Sequence, residues 1–399
     1  MTDPPGSDTP GEVTFGISLY TGQHAPGSTG QWYGEAAALA EASEAAGFDT
    51  FWVSEHHGFS DGYLPSPLTL LAAIAERTTA IRLGTGLLLG PLRHPVKLAE
   101  DACVVDQLSR GRLVLGLGAG YHLAEFDMLG VDAAGRGRRL TETVEILRRC
   151  WQGERFSYHG TVHSLDGVRV SPTPFRAGGI PIWLGGYAPA ALERAARLAD
   201  GHLVGRGDPE IVQASADLVQ RALQGDPRPF TFGLNVTVVL TDPGGHPASA
   251  LEGFAYQQRT YERMQQGTDV YAGRITTDAD GSDAAAAAGG LALGTIDRYV
   301  HAHGSGEDLV EALLGYVRRL SGWPQLHVAL RALFPERDPR HQQERIARLG
   351  ADVLGPLRRR LATERRGATS RIPTGGTDQE MDGIAGQTAG EATGKAMGR

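Results

Sequence analysis

A glutamate and two histidines, Glu55, His56 and His57, follow directly after a short apolar run in the segment FWVSEHHGF, residues 51–59. The apolar residues before them suit a pleated, half-buried strand. In parallel α/β proteins, the end of such a strand is where ligands bind and reacting groups are placed. A carboxylate beside two imidazoles can donate or accept protons near neutral pH. The segment therefore predicts a site for acid/base chemistry or for ligand contact.

Two other interpretations of this segment compete with acid/base chemistry. Adjacent side chains of an extended segment point in opposite directions, so His56 and His57 do not readily reach one metal ion. No partner histidine stands at the spacing of a metal-binding pair, and we predict no metal site. A histidine that is simply hydrogen-bonded within the structure is the second alternative, and the residues alone leave it open.

Glycine-rich segments end three further apolar runs. They are TGLLLGPLRHP (85–95), GAGYH (118–122) and GGYAPAA (185–191). The last of these opens a helix, where backbone N–H groups and the helix dipole favour a phosphate, although an ordinary tight turn has the same appearance. The run GLGAG (116–120) lacks the G-x-G-x-x-G spacing of a dinucleotide site. The chain also lacks the G-x-S-x-G and Walker motifs, so neither serine hydrolysis nor phosphoryl transfer has support.

Strand-like runs alternate with helical patterns along most of the chain. Eight such alternations predict an α/β protein folded as a (β/α)8 TIM barrel, with a doubly wound open sheet as the alternative. The expected strands lie at about 13–20, 49–54, 81–90, 112–120 with its glycine turn, 180–186, 201–205, 229–240 and 325–334. All four polar or glycine-rich segments then lie at carboxyl ends of strands, on one face of the barrel.

The expected domain limits follow from the same pattern. We expect a disordered lead over residues 1–12, one barrel domain over 13–362 and a disordered tail over 363–399, which is poor in apolar residues. A long insertion at about 241–306 separates strands seven and eight. Because the insertion follows strand seven and so starts at the active face, we interpret it as a lid or as a wall of the substrate pocket.

Composition excludes several classes of protein. The 399 residues carry a net charge of −8, which is unlike a nucleic-acid-binding protein. No run of about 18 apolar residues predicts a membrane span, and the N-terminus lacks the pattern of a signal peptide. The two cysteines, Cys103 and Cys150, have neither metal-ligand spacing nor the pattern of a disulfide framework, which predicts a reducing, cytoplasmic location.

Taken together, the segments resemble one family, the bacterial luciferase-like flavin monooxygenases. The resemblance rests on FWVSEHH, on the long stretch from IRLGTGLLLGPLRHP to GAGYHLAEFDMLG, and on IPIWLGGYAPAALERAARLADGHL. It covers residues 13–240 well and 294–362 loosely. It implies a (β/α)8 barrel that binds reduced FMN, supplied by a separate reductase, and uses O2 to oxidise a small-molecule substrate. We expect a homodimer with neither a nucleic-acid nor a membrane partner.

The resemblance also implies roles for particular residues. His56, and after it His57, would contact the flavin and handle protons beside Glu55. A non-proline cis peptide bond beneath the flavin ring would join Gly86 and Leu87. The implied cofactor-binding residues around the phosphate are Ala119, Gly120, Tyr121, Gly185, Gly186, Tyr187 and Ala190.

One departure from the family concerns the phosphate. The luciferases have an arginine where this chain has Ala119, so backbone amides or another cation, with Arg93 and Arg206 as candidates by position, must replace it. Some members of the family use the deazaflavin coenzyme F420 for hydride transfer, which is the alternative cofactor and activity. A noncatalytic flavin-binding subunit is the third possibility.

Overall fold

The structure is a computed structural model that describes residues 12–19, 32–59, 62–241, 300–334 and 339–369. Residues 1–359 form one compact unit, and residues 360–399 form a second. Of the second unit, the structure describes the end of a single helix, which stops at Thr369.

The described elements alternate between strand and helix for most of the chain. The strands are β1 (Glu12–Leu19), β2 (Thr50–Val53), β3 (Arg82–Thr85), β4 (Leu88–Leu89), β5 (Leu113–Gly118), β6 (Phe156–His159), β7 (Ser164–Val168), β8 (Ile182–Gly185), β9 (Gly201–Val204), β10 (Thr231–Leu240), β11 (Ala302–Gly304) and β12 (Gln325–Leu333). The helices are α1 (Trp32–Ala45), α2 (Pro67–Ala75), α3 (Pro95–Leu108), α4 (Leu123–Met128), α5 (Arg136–Cys150), α6 (Pro189–Leu198), α7 (Pro209–Ala222), α8 (Gly306–Arg319), α9 (Pro339–Arg348) and α10 (Gly355–Thr369), with a π-helical turn (Leu349–Leu354) before α10.

Eight parallel strands close into a barrel, which confirms the predicted fold. The order around the barrel is β1, β2, β3, β5, β8, β9, β10 and β12, and β12 pairs with β1 to complete the ring. Because every strand of the ring is parallel to its neighbours, all of their carboxyl ends lie on one face. The strand β11 pairs in parallel with the carboxyl-terminal end of β10. The strands β6 and β7 form a separate antiparallel hairpin.

The interior of the barrel is filled by large rings that glycines accommodate. Trp52 on β2 packs against Trp183 on β8, and its indole Nε1 donates to Nε2 of His327 on β12 at 2.9 Å. A methyl group on Gly84 would lie 2.2 Å from the Trp52 ring, so this neighbouring position on β3 has room for no side chain. The interior is therefore a packed core rather than a channel.

The third predicted strand is interrupted, which corrects the expectation of one continuous strand over 81–90. Arg82–Thr85 and Leu88–Leu89 are separate strands, and the peptide bond between Gly86 and Leu87 is cis. The Gly86 N–H donates to the carbonyl of Val53 at 2.7 Å. The chain thus leaves the regular ladder at the mouth of the barrel, where the sequence had indicated only a buried apolar run.

Two expected boundaries also differ. The helix expected to end near residue 362 continues to Thr369, so the proposed tail, starting at 363, begins inside α10. Of the proposed insertion over 241–306, β11 and the start of α8 are ordered elements that we had not predicted. Residues 242–299, which carry the rest of that lid interpretation, lie outside the described residues, as do most of the expected lead and tail.

No helix in the described ranges is long and apolar enough to cross a membrane.

A buried histidine on β9 makes stability depend on pH. His202 is fully buried, and this burial lowers its pKa to about 4 from an ordinary 6.5. In the unfolded chain His202 therefore binds a proton below pH 6.5, whereas in the folded chain it binds one only below about pH 4. Stability is lost as the pH falls through this interval, by about 3 kcal/mol at 1.4 kcal/mol per unit of pKa.

We expect His202→Leu to abolish that share of the acid sensitivity. The measurement is the urea midpoint at a series of pH values between 7 and 4, for wild type and variant. His303→Gln, at an exposed position on β11, serves as the matched control. Equal acid sensitivity of wild type and His202→Leu would show that His202 is not buried in its neutral form.

Candidate active site

The segment Glu55–His57 leaves β2 at the carboxyl-terminal face, where the sequence predicted it. His56 and Glu55 are buried, and His57 is partly buried. The ring of Tyr63 meets the His56 ring edge-on, with centroids 4.8 Å apart, and Tyr121 lies at 5.8 Å. The loop after β2 and the loop after β5 thus meet around one imidazole.

A glutamate of α4 holds His56. Oε1 of Glu125 lies 2.8 Å from His56 Nδ1 and also accepts the backbone N–H of His57 at 2.8 Å. Glu125 is 1% exposed, and its second oxygen, Oε2, has no hydrogen-bond partner within the described part of the chain. Two groups of the loop are therefore bound by a single buried carboxylate oxygen.

Glu55 and His57 are bound to each other and to Arg93. The Glu55 Oε1 atom lies 2.5 Å from His57 Nε2 and accepts Arg93 Nη1 at 2.6 Å, while Oε2 accepts the Leu89 backbone N–H at 2.9 Å. A buried carboxylate with this many donors is well satisfied. The contacts tie the loop after β2 to the segment after β4, and they give Glu55 and His57 an anchoring function in addition to the predicted catalytic one.

The cis peptide bond lies beside this network, as the family resemblance implied. The side chain of Leu87 packs onto the cluster of Trp52, Trp183 and Leu203 inside the barrel. A methyl group on Gly185 would lie 2.2 Å from the Leu87 side chain. Leu87 thus points into the barrel, and the backbone of the Gly86–Leu87 bond lies at its mouth.

The two glycine turns are neighbours. Strands β5 and β8 pair through Leu117 and Leu184, so the turns that follow, over 118–121 and 185–188, leave the barrel side by side. Gly120 has φ of +78° and Gly186 has φ of +140°, which favour glycine. The structure therefore brings the predicted residues Ala119, Gly120, Tyr121, Gly185, Gly186 and Tyr187 together, with Ala190 in the first turn of α6.

Both arginines that the sequence suggested as phosphate-binding cations already form an ion pair with a carboxylate. Arg93 binds Glu55, and Arg206 Nε donates to Asp208 at 2.9 Å. His301 and Arg206 together lower the pKa of Asp208 to about 2. A different arginine lies at the glycine turn, because Arg136 Nε donates to the carbonyl of Gly120 at 3.1 Å. Within the described ranges, no carboxylate forms an ion pair with Arg136.

The sequence analysis missed Glu125 and Arg136. Glu125 belongs to a six-residue helix that carries no clear apolar period, and Arg136 is one of five arginines in the helix Arg136–Cys150. The two residues lie on α4 and α5, the first two helices after β5. Their position after the carboxyl end of a barrel strand is the feature of the sequence that could have indicated a role in the site. In the regions that the structure describes, no group of three or more His, Cys, Asp or Glu side chains is arranged to hold a metal ion.

Known proteins are similar to this chain in sequence. Over 167 residues the chain is 31% identical to the oxygenase component of flavin-dependent trigonelline monooxygenase from Acinetobacter baylyi, covering 41% of this chain and 46% of that protein. Over 206 residues it is 33% identical to an F420-dependent glucose-6-phosphate dehydrogenase from Nakamurella multipartita, covering 50% and 58%. The matched segments thus span about half the length of these curated relatives.

A solved structure matches over most of its length. It is the oxygenating constituent of 3,6-diketocamphane monooxygenase from Pseudomonas putida in complex with FMN, with a TM-score of 0.66, 20% identity and coverage of 85% of this chain and 97% of that one. At this identity the likeness shows the fold. The family model described as luciferase-like monooxygenase matches residues 13–321. The chain therefore belongs to the luciferase-like monooxygenase family.

Proposed function

We propose that the protein is a flavin-dependent monooxygenase that uses reduced FMN and O2 to oxidise a small organic substrate. The observation that carries the proposal is the buried imidazole of His56, held by Glu125 at the carboxyl-terminal mouth of the barrel. An imidazole in this position can move a proton to or from a bound molecule. The trigonelline monooxygenase relative, which is named as an oxygenase component, supports a separate reductase as the partner.

The residues at the mouth fit a flavin with a phosphate. The adjacent glycine turns allow backbone N–H groups to approach an anion closely, and the first turn of α6 favours negative charge. Arg136, bound to Gly120, would supply the cation that Ala119 does not. Bound reduced FMN would provide the electrons for the reaction with O2, and the protein would orient the ring, exclude water and hold a proton on His56.

A second activity, F420-dependent hydride transfer, is favoured by one observation. The dehydrogenase relative covers a larger share of this chain than the trigonelline monooxygenase does, 50% against 41%, at a similar identity. A noncatalytic flavin-binding subunit is the third candidate. A homodimer stays a prediction, which sedimentation of the purified chain tests.

An anaerobic titration separates these candidates. We expect the protein to bind reduced FMN tightly and reduced F420 weakly, and the admission of air to produce a transient near-ultraviolet absorbance before oxidised flavin accumulates. Free FMN in the same buffer is the control. Tight binding of F420 alone would replace the proposal with hydride transfer, and binding of neither cofactor would contradict both activities.

The same titration tests the phosphate cation. Arg136→Met should weaken FMN binding about tenfold, the loss of one charge-assisted contact, but leave the affinity for riboflavin unchanged because riboflavin lacks the phosphate. Arg138→Met, at an exposed position two residues along, is the matched control. An equal loss for FMN and riboflavin would indicate that Arg136 only stabilises the glycine turn.

A further inference from the structure

Glu125 and His56 form a buried pair whose hydrogen-bond direction can be determined from its surroundings. The backbone N–H of His57 can only donate, so Glu125 Oε1 is an acceptor in that bond. A carboxylate oxygen readily accepts two hydrogen bonds, whereas a protonated carboxyl oxygen is a poor acceptor. The His56 Nδ1 atom, 2.8 Å from the same oxygen, is therefore the donor. This places the ring hydrogen of neutral His56 on Nδ1.

The position of Glu125 is set by the short helix that carries it. Phe126, the next residue, is fully buried, and its ring fills the space where a side chain on Gly120 would lie, 2.8 Å from that position. The helix α4 is thus packed against the glycine turn, and Glu125 faces the loop after β2. The rings of Tyr63 and Tyr121 both meet the His56 ring edge-on, with interplanar angles of 84° and 77°.

We propose that Glu125 is a positioning residue that fixes His56 as the Nδ1–H tautomer, which makes Nε2 the ring atom that accepts a proton. The assignment deepens the proposed function, because His56 is the group that would handle protons there. When Nε2 takes up a proton, Nδ1 keeps its own, and the imidazolium charge is offset by the carboxylate at 2.8 Å. A neutral side chain of the same shape would orient the ring but would not offset this charge.

The test measures the tautomer directly and needs no catalytic activity. The protein is labelled with 15N-histidine, and His56 is assigned by comparison with the spectrum of His56→Gln. At a pH where the ring is neutral, the wild-type protein should carry the hydrogen on Nδ1. Glu125→Gln should keep this tautomer, because the amide oxygen also accepts from Nδ1–H. Glu125→Ala removes the acceptor, and the Nε2–H form should appear.

Turnover separates orientation from charge. We expect Glu125→Gln to lower kcat about tenfold, with flavin affinity and KM within a few-fold of wild type, because the protonated ring loses its counter-charge. Asp127→Asn, an exposed acid on the same helix, is the matched control. Wild-type His56 with its hydrogen on Nε2 would overturn the proposal even if Glu125→Ala fails to fold, and so would an unchanged tautomer in Glu125→Ala. A confirmed tautomer with full activity in a His56 variant would leave the tautomer assignment standing and contradict the proton-handling role of His56 in the proposed function instead.

Discussion

Replacing His56 with alanine should lower turnover about 100-fold or more, the usual scale for the loss of an acid/base group. The ring is held by Glu125 at 2.8 Å and lies at the mouth of the barrel. The turns proposed to bind the flavin follow other strands, β5 and β8, so flavin affinity should stay within a few-fold of wild type. The measurements are turnover on a substrate found by screening, and flavin affinity by fluorescence titration.

A matched control for this variant is His94→Ala, which removes an exposed histidine at the N-terminus of α3. It should leave turnover and affinity unchanged. His57→Ala should be intermediate, because the His57 ring binds Glu55 and would affect His56 only through the loop. Full activity of His56→Ala would contradict the role assigned to His56, and loss of the folded state would require repeating the test with His56→Gln.

Replacing Gly116 with alanine should destabilise the barrel by at least about 3 kcal/mol, the upper part of the range for overpacking. A methyl group there would lie 2.0 Å from the backbone carbonyl oxygen of Thr85. That oxygen belongs to β3, and the Thr85 hydroxyl also donates to the Gly116 carbonyl at 2.7 Å, so neither strand can move away without losing contacts. The measurement is the midpoint of urea unfolding, together with the yield of folded protein.

The same change at Gly315 is the control. Gly315 lies within α8, is exposed, and has open space where a methyl group would be added. Because alanine is the better helix former, Gly315→Ala should raise stability by roughly 0.5–1 kcal/mol. Equal midpoints for Gly116→Ala and wild type would show that β3 and β5 are not packed as closely as the structure places them.

The barrel was predictable because each of its strands is buried on both faces. Runs such as Leu113–Gly118 are apolar or glycine throughout, and the helices between them have clear boundaries. The closure of β12 onto β1 followed only from counting the alternations. The break at Gly86 was predictable only through the family resemblance, since the residues 81–90 on their own indicate one continuous strand.

The candidate site was predictable where it follows a strand directly, and unpredictable where it depends on contacts across the barrel. Glu55, His56 and His57 could be named from their position, but their partners Arg93 and Glu125 lie 38 and 69 residues away in the chain. No local pattern links such distant residues. The sequence does contain a signal for the start of α8, because Ser305 and Asp308 form a capping box. The sequence analysis nevertheless missed this helix.

The indole rings of Trp52 and Trp183 lie 5.3 Å apart at an angle of 42°. Their strands, β2 and β8, are separated by β3 and β5 around the ring, so the two side chains meet only because the sheet closes on itself. Two indoles at this distance and angle couple through their strong far-ultraviolet transitions and give a paired circular dichroism signal in that region. The protein therefore contains its own spectroscopic reporter of barrel closure. Loss of the paired signal would mark the opening of the barrel separately from the melting of its outer helices.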